Sequence, residues 1–157
     1  MSVLEGKKIL LGVTGSIAAY KSIILLRLLK REGADVQVIF SDSANNFVTQ
    51  LTFSTLSEKK VLTDFFEDDD KVEWVNHVEL AEWADYMIIA PITSSTLSKL
   101  VTGNADNLLV ATYMSTVCDV FFAPAMDLEM YNSESPKLNI KSLVERGNIF
   151  IKPAKGY

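Results

Sequence analysis

The sequence predicts an α/β protein in which a doubly wound, mostly parallel sheet carries helices on both of its faces. Two observations lead to this fold class. Short apolar runs alternate with longer segments of helical periodicity along the 157-residue chain. The apolar runs also lack an alternation of polar and apolar residues, which is typical of strands that are covered on both faces. The length suits one domain with one sizeable core.

The apolar runs give the predicted strands, and the segments between them give the predicted helices. Strands are predicted over residues 8–13, 36–40, 86–90, 120–123 and 149–151. The first helix is predicted from Ile17 to Arg31, because apolar residues recur at Ile17, Tyr20, Ile24 and Leu28 and because Gly33 follows a basic last turn. Further helices are predicted over residues 76–83, 95–102, 107–114 and 138–145.

The first strand passes into the first helix through a turn that contains Gly12, Gly15 and Ser16. A helix that begins directly after a strand presents unpaired backbone N–H groups, which favour an anion such as the phosphate of a nucleotide or a flavin. The spacing is not that of a dinucleotide G-x-G-x-x-G motif, because after Gly12 and Gly15 the next position available is Ala18, and this weakens the case for a standard NAD site. Glycines that serve only the geometry of the turn are the alternative interpretation.

Ligands of such sheets bind beyond the carboxyl ends of the strands. This rule selects the loops at residues 14–17, 41–46, 91–96 and 124–131, which are rich in hydroxyls, amides or small residues. The run Thr93, Ser94, Ser95 and Thr96 offers contacts to a phosphate or a ring as well as a helix N-cap. We favour ligand contact over capping alone, although one residue can do both.

The formal net charge of −5 argues against a partner that is a nucleic acid. Cys118 is the only cysteine, which excludes an intrachain disulfide and favours a reducing compartment, so we expect a cytoplasmic protein. The sequence contains no run of 18 apolar residues, so no membrane span is predicted.

The acidic run at 67–70 favours a solvated loop over a metal site, and the surrounding segment 63–73 is predicted to be a mobile loop.

Five segments together resemble the flavin-containing cysteine decarboxylase family, in the family's order and spacing. The resemblance spans essentially the whole chain and is strongest to the members that act on phosphopantothenoylcysteine. It implies a single Rossmann-like flavoprotein domain over residues 1–157. The segments are 12–21 (GVTGSIAAYK), 77–85 (HVELAEWAD), 90–99 (APITSSTLSK), 103–109 (GNADNLL) and 124–131 (PAMDLEMY).

The resemblance implies bound FMN at a subunit interface of a homotrimer, with trimers in some relatives assembling further into a dodecamer. The phosphate of the flavin would lie against the first turn, and the two following loops would complete its site. By resemblance, Ala125, Met126 and Asp127 would contact the substrate. The residues implied in cofactor binding are Gly15, Ser16, Ile17, Ser41, Thr93, Ser94, Ser95, Thr96 and Met126.

His77 is the only histidine, and composition alone would make it structural more often than catalytic. Its position in the resembling motif implies the active-site histidine, which suits proton transfer near neutral pH. The implied reaction converts phosphopantothenoylcysteine to phosphopantetheine in coenzyme A biosynthesis. Oxidation of the thiol-bearing carbon to a thioaldehyde provides the electron sink for loss of carbon dioxide, and the resulting enethiolate is then reduced.

The chain departs from the family at Asp127, where relatives place an Asn amide on the substrate carboxylate. An ionised carboxylate cannot donate a hydrogen bond and would repel the substrate carboxylate. Either Asp127 is protonated in the substrate-bound pocket, or backbone N–H groups bind the substrate and Asp127 serves another purpose.

The second departure concerns the segment 152–157, which in relatives continues into a substrate-covering flap that carries a cysteine acid. We therefore expect a domain truncated before that flap, or one that is part of a longer protein fused or coupled to phosphopantothenate–cysteine ligase. Cys118 lies in an apolar stretch and is expected to be a buried small hydrophobe rather than a replacement for the acid.

Two other functions stay open. A non-catalytic FMN-binding regulatory subunit has the same fold, and a peptidyl-cysteine decarboxylase shares the flavin and the histidine. A flavin prenyltransferase is disfavoured by His77 and by the acidic charge balance.

Overall fold

The computed structural model describes residues 3–68 and 71–153, which form a five-stranded sheet flanked by helices and a separate two-stranded sheet. The order of the large sheet is β2-β1-β5-β6-β7, and every neighbouring pair is parallel. The predicted doubly wound α/β fold is therefore confirmed. The strands are β1 (Lys8–Val13), β2 (Asp35–Phe40), β3 (Phe66–Asp68), β4 (Lys71–Trp74), β5 (Tyr86–Ile92), β6 (Asp119–Pro124) and β7 (Ile149–Phe150).

Helices cover both faces of the large sheet. They are α1 (Lys21–Arg31), α2 (Gln50–Ser57), α3 (His77–Trp83), α4 (Ser94–Thr102), α5 (Leu108–Ser115), α6 (Leu128–Asn132) and α7 (Glu134–Glu145). Short 3₁₀ turns at Ile17–Tyr20 and Asp42–Asn46 follow β1 and β2. Along the described residues, no helix combines the length and the apolar character that crossing a membrane requires.

The structure differs from the sequence prediction in four elements, namely α2, α6, β3 and β4. Helices α2 and α6 were not predicted, and the segment 63–73 was predicted to be a loop. That prediction was wrong at residues 66–68 and 71–73, which pair as the antiparallel strands β3 and β4. Residues 69–70 of the acidic run lie outside the described residues, as do residues 154–157 of the last segment.

The core consists of two clusters on opposite faces of the sheet, because successive side chains of a strand point to opposite sides. Ile9 and Leu11 of β1 belong to the cluster beneath α1 and α2. Leu10, between them, belongs to the cluster beneath α4, α5 and α7. All three side chains are at most 2% exposed, which explains why β1 is apolar from Ile9 onward.

The strand order places a topological switch point between β1 and β5. Strand β2 lies on one side of β1 in the sheet, and β5 lies on the other side. The connections that leave the carboxyl ends of β1 and β5 therefore run in opposite directions. A crevice forms at such a point beyond the carboxyl ends of the strands, which is where open α/β sheets bind ligands.

Candidate functional site

Four neighbouring strands deliver the predicted loops to one edge of the sheet. Ser41 follows β2, Gly15 follows β1, Thr93 follows β5 and Ala125 follows β6. These strands are adjacent in the order β2-β1-β5-β6, so their carboxyl ends lie side by side. The structure therefore brings the predicted cofactor and substrate loops together.

The turn after β1 presents backbone amides outward. Ser16 is an N-cap, and its hydroxyl accepts a hydrogen bond of 3.1 Å from the amide of Ala18. Among the described residues, the amides of Gly15, Ser16 and Ile17 have no intramolecular acceptor. Such amides at the start of a helical segment fit an anion, and anion binding at this turn stays a prediction.

The loop after β2 packs directly against Gly15. A Cβ atom built on Gly15 would lie 2.3 Å from the hydroxyl oxygen and 2.6 Å from the Cβ atom of Ser43, so only glycine fits. The hydroxyls of Ser41 and Ser43 are 3.3 Å apart, and the Ser41 amide donates to the Val13 carbonyl at 3.0 Å. Sequence reasoning missed Ser43, for which the only signal was its place within the selected loop 41–46.

Thr14 joins the loops that follow β1 and β5. Its fully buried hydroxyl donates to the Pro91 carbonyl at 2.7 Å and accepts from the Thr93 amide at 3.0 Å. Sequence reasoning did not identify this role, because the partners are nearly 80 residues further along the chain.

The hydroxyl run at the start of α4 has a capping role at its first residue. Thr93 is the N-cap, and its hydroxyl accepts from the Thr96 amide at 3.2 Å. Thr96 is 8% exposed, whereas Ser94 is half-buried and Ser95 is exposed. Capping therefore occupies Thr93, and contact between Ser94 or Ser95 and a ligand stays a prediction.

A cavity of 660 Å³ opens at the same edge. Its walls come from the 3₁₀ turn and start of α1, from the ends of β5 and β6, and from residues 151–153. The predicted residues Ile17, Ala125, Met126 and Asp127 line it. Tyr20 and Lys21, among others, also line the cavity but were not predicted as site residues. The volume suits a ligand the size of a cofactor or a drug.

Asp127 is the N-cap of α6. Its Oδ1 atom accepts from the Met130 amide at 2.8 Å, and its side chain is exposed. This contact supports the interpretation in which Asp127 serves another purpose than binding a substrate carboxylate. The adjoining loop is fixed by the Ala125 amide, which donates to the Ile92 carbonyl at 3.1 Å.

His77 begins α3 after the N-cap Asn76, whose side-chain oxygen accepts from the amides of Val78 and Glu79. The half-buried imidazole lies edge-to-face against Phe65, with ring centroids 5.9 Å apart. Among the described residues that line the cavity, His77 does not occur. Within one chain, the structure therefore places the predicted histidine outside the cavity wall.

Cys118 lies at the opposite edge of the sheet, directly before the amino end of β6. It is half-buried rather than fully buried, and its sulfur is 3.0 Å from the Thr116 hydroxyl. The expectation of a buried small hydrophobe thus holds only in part. Its position supports the expectation that Cys118 does not supply an acid to the site.

Known proteins resemble this chain along its whole length. The family described as Flavoprotein matches residues 2–156. The coenzyme A biosynthesis bifunctional protein CoaBC of Bacillus subtilis strain 168 is 40% identical over 155 residues, which are 99% of this chain and 38% of that protein. The chain thus spans less than half the length of this curated relative.

Two solved structures share the fold and most of their length with this chain. A PPC decarboxylase mutant complexed with pantothenoylaminoethenethiol has a TM-score of 0.80 and 31% identity, covering 95% of this chain and 83% of its own. The FMN-dependent cysteine decarboxylase SpaF has a TM-score of 0.89 and 26% identity, covering 98% of this chain and 88% of its own.

Proposed function

Because this chain belongs to the Flavoprotein family, we propose that it is a single FMN-dependent carboxy-lyase domain that converts phosphopantothenoylcysteine to phosphopantetheine in coenzyme A biosynthesis. The named activity of the Bacillus subtilis relative supports the pathway. The PPC decarboxylase structure, at 31% identity, supports the reaction.

The observation that carries the proposal is the close approach of the first two loops at Gly15. The space that a Cβ atom would need is filled by Ser43, and the neighbouring amides of Ser16 and Ile17 are available to a phosphate. We propose that Gly15, Ser16, Ile17 and Ser41 hold the phosphate of FMN. Residues 93–96 and Met126 would flank the rest of the cofactor.

When bound, FMN supplies an acceptor for a hydride from the thiol-bearing carbon, and this oxidation makes loss of carbon dioxide feasible. The protein has to orient the substrate and move protons. Ala125 and Met126 offer apolar contacts beside Asp127 in the cavity. His77 is the residue that we propose exchanges a proton with the substrate thiol.

A homotrimer would bring His77 of one subunit toward the cavity of another, which is consistent with its place outside the cavity wall of its own chain. An exposed apolar stripe on the first helical segment supports self-association. Ile17, Tyr20, Ile24 and Leu28 are 81%, 55%, 58% and 46% exposed, whereas Leu26 on the other side of α1 is fully buried. A helix that is apolar on both sides is expected to be covered on both sides.

The proposal has three further parts. Trimers assemble further into a dodecamer, the domain is fused or coupled to phosphopantothenate–cysteine ligase, and the protein is cytoplasmic. The word bifunctional in the name of the curated relative supports the coupling. The single cysteine supports a reducing compartment.

The test combines a flavin spectrum with release of carbon dioxide. The purified protein should be yellow, should release FMN on denaturation, and should release carbon dioxide from phosphopantothenoylcysteine. FMN binding without carbon dioxide release would instead support the regulatory subunit. Preference for a peptide that ends in cysteine, in a competition assay, would support the peptidyl-cysteine decarboxylase.

A further inference from the structure

We propose that Ser22 is a positioning residue for the cofactor, because its hydroxyl holds the irregular end of β5 that forms one wall of the 660 Å³ cavity. The inference rests on the proposed function, since it takes FMN as the occupant of that cavity. Ser22 lies directly after the segment 12–21 and was not predicted as a site residue. Its role follows from the contacts that it makes in the folded chain.

The end of β5 is irregular where it pairs with β6. Ile89 pairs with Phe122 and Ile92 pairs with Pro124, so β5 advances from 89 to 92 while β6 advances only from 122 to 124. One extra residue of β5 is therefore accommodated in this stretch, which is the arrangement of a β-bulge. A bulge interrupts the regular ladder, so the backbone groups within it need other hydrogen-bond partners.

Two buried hydroxyls bind consecutive carbonyls of this bulge. The Ser22 hydroxyl donates to the Ala90 carbonyl at 2.5 Å, and the Thr14 hydroxyl donates to the Pro91 carbonyl at 2.7 Å. Ser22 is 3% exposed and Thr14 is fully buried. Because one hydroxyl comes from α1 and the other from the turn after β1, the bulge is held by two different elements.

The bulge shapes the cavity and the loop beside it. Ala90 and Pro91 line the cavity, and so does Ser22 itself. The Ile92 carbonyl accepts from the Ala125 amide at 3.1 Å, which joins the bulge to the loop after β6. Movement of the bulge would therefore displace two parts of the cavity wall, one at the end of β5 and one after β6.

The Ser22 hydroxyl should contribute to binding because it fixes this wall before the cofactor arrives. Without the hydroxyl, the Ala90 carbonyl loses a buried donor. The free protein can lower that cost by turning the carbonyl toward water. Bound FMN would exclude this water and would require the wall in its original place, so the cost of the missing bond appears in the affinity.

Equilibrium binding of FMN to Ser22→Ala, after removal of any bound flavin, tests the proposal. Quenching of flavin fluorescence should give a dissociation constant about tenfold higher than that of the unaltered protein, the usual effect of one lost buried hydrogen-bond partner. Ser22→Thr keeps the hydroxyl and should recover most of the affinity. Without added FMN, mass spectrometry should show faster amide hydrogen exchange in Ser22→Ala for peptides that contain Thr93 or Ala125.

Ser57→Ala is the matched control. Ser57 is 1% exposed, its hydroxyl donates to the Lys59 carbonyl at 3.1 Å, and it is absent from the described cavity lining. Both Ala variants should melt at a lower temperature, but Ser57→Ala should keep the FMN affinity and the exchange rates of the unaltered protein.

Unchanged affinity or unchanged exchange in Ser22→Ala overturns the proposal, as does an equal loss of affinity in Ser57→Ala. Failure of the unaltered protein to bind FMN overturns the proposed function instead. Faster exchange confined to Ser22→Ala would then still support Ser22 as the residue that holds this cavity wall.

Discussion

The amide of Thr93 donates to the hydroxyl of Thr14 across 3.0 Å, and this bond connects the loops that follow two neighbouring parallel strands. The same hydroxyl donates to the Pro91 carbonyl at 2.7 Å. Thr14 is fully buried, and its bond to Pro91 is buried as well. One side chain therefore fixes the separation of β1 and β5 at the switch point, where the proposed cofactor binds.

Replacing Thr14 with Val should lower the free energy of unfolding by about 2 kcal/mol. The Thr93 amide loses its acceptor, and the Pro91 carbonyl keeps only the longer bond of 3.3 Å from the Thr14 amide. Urea unfolding followed by tryptophan fluorescence measures the change. Thr14→Ser keeps the hydroxyl and should lose much less stability. Equal losses in the two variants would show that the methyl group, and not the hydroxyl, matters.

Replacing Gly15 with Ala should weaken FMN binding by at least about tenfold, because the new methyl group would overlap Ser43 and separate the two phosphate loops. Quenching of flavin fluorescence gives the dissociation constant. Adding Ser43→Gly should recover part of the affinity, since it removes two of the three closest atoms. Undiminished affinity in the Ala variant would contradict the proposed phosphate site.

The large sheet could be predicted from the sequence because its signals are local. Each buried strand is a short apolar run, and β1 was predicted with the bounds that the structure shows. Helix α2 was missed because Thr and Ser are frequent along Gln50–Ser57 and favour turns as readily as helices. Helix α6 was missed because its five residues are too few to show a period.

The loops of the candidate site could be predicted from the sequence, but the contacts between those loops could not. Strand ends indicate where ligand loops lie, whereas the contacts of Thr14 with Pro91 and of Gly15 with Ser43 depend on tertiary packing. Periodicity likewise predicted the first helical segment without showing which face is buried. Ile24 and Leu28, two of the apolar positions behind that prediction, lie on the exposed side.

Replacing His77 with Asn should lower the rate of carbon dioxide release by about 100-fold or more, the usual contribution of a general acid or base. FMN affinity should change far less than the rate, because His77 begins α3 and lies outside the loops that we propose hold the phosphate. Val78→Ala, an exposed neighbour on the same helix, is the control and should keep full activity. A His77→Asn protein with normal turnover would remove His77 from the proposed chemistry.

Replacing Ile24 with Glu should dissociate the proposed homotrimer, because a charge in the centre of the exposed stripe would be buried without a partner at the subunit interface. Sedimentation velocity should show a shift from trimer or larger species to monomer. Leu138→Glu makes the same change at an apolar residue of α7 that is 56% exposed, close to the 58% of Ile24, and should leave the assembly intact. A trimer that persists in Ile24→Glu but dissociates in Leu138→Glu would move the interface from α1 to α7. Since the proposed active site requires His77 from a second subunit, the monomeric Ile24→Glu protein should also lose carbon dioxide release while its fold, measured by circular dichroism, is retained.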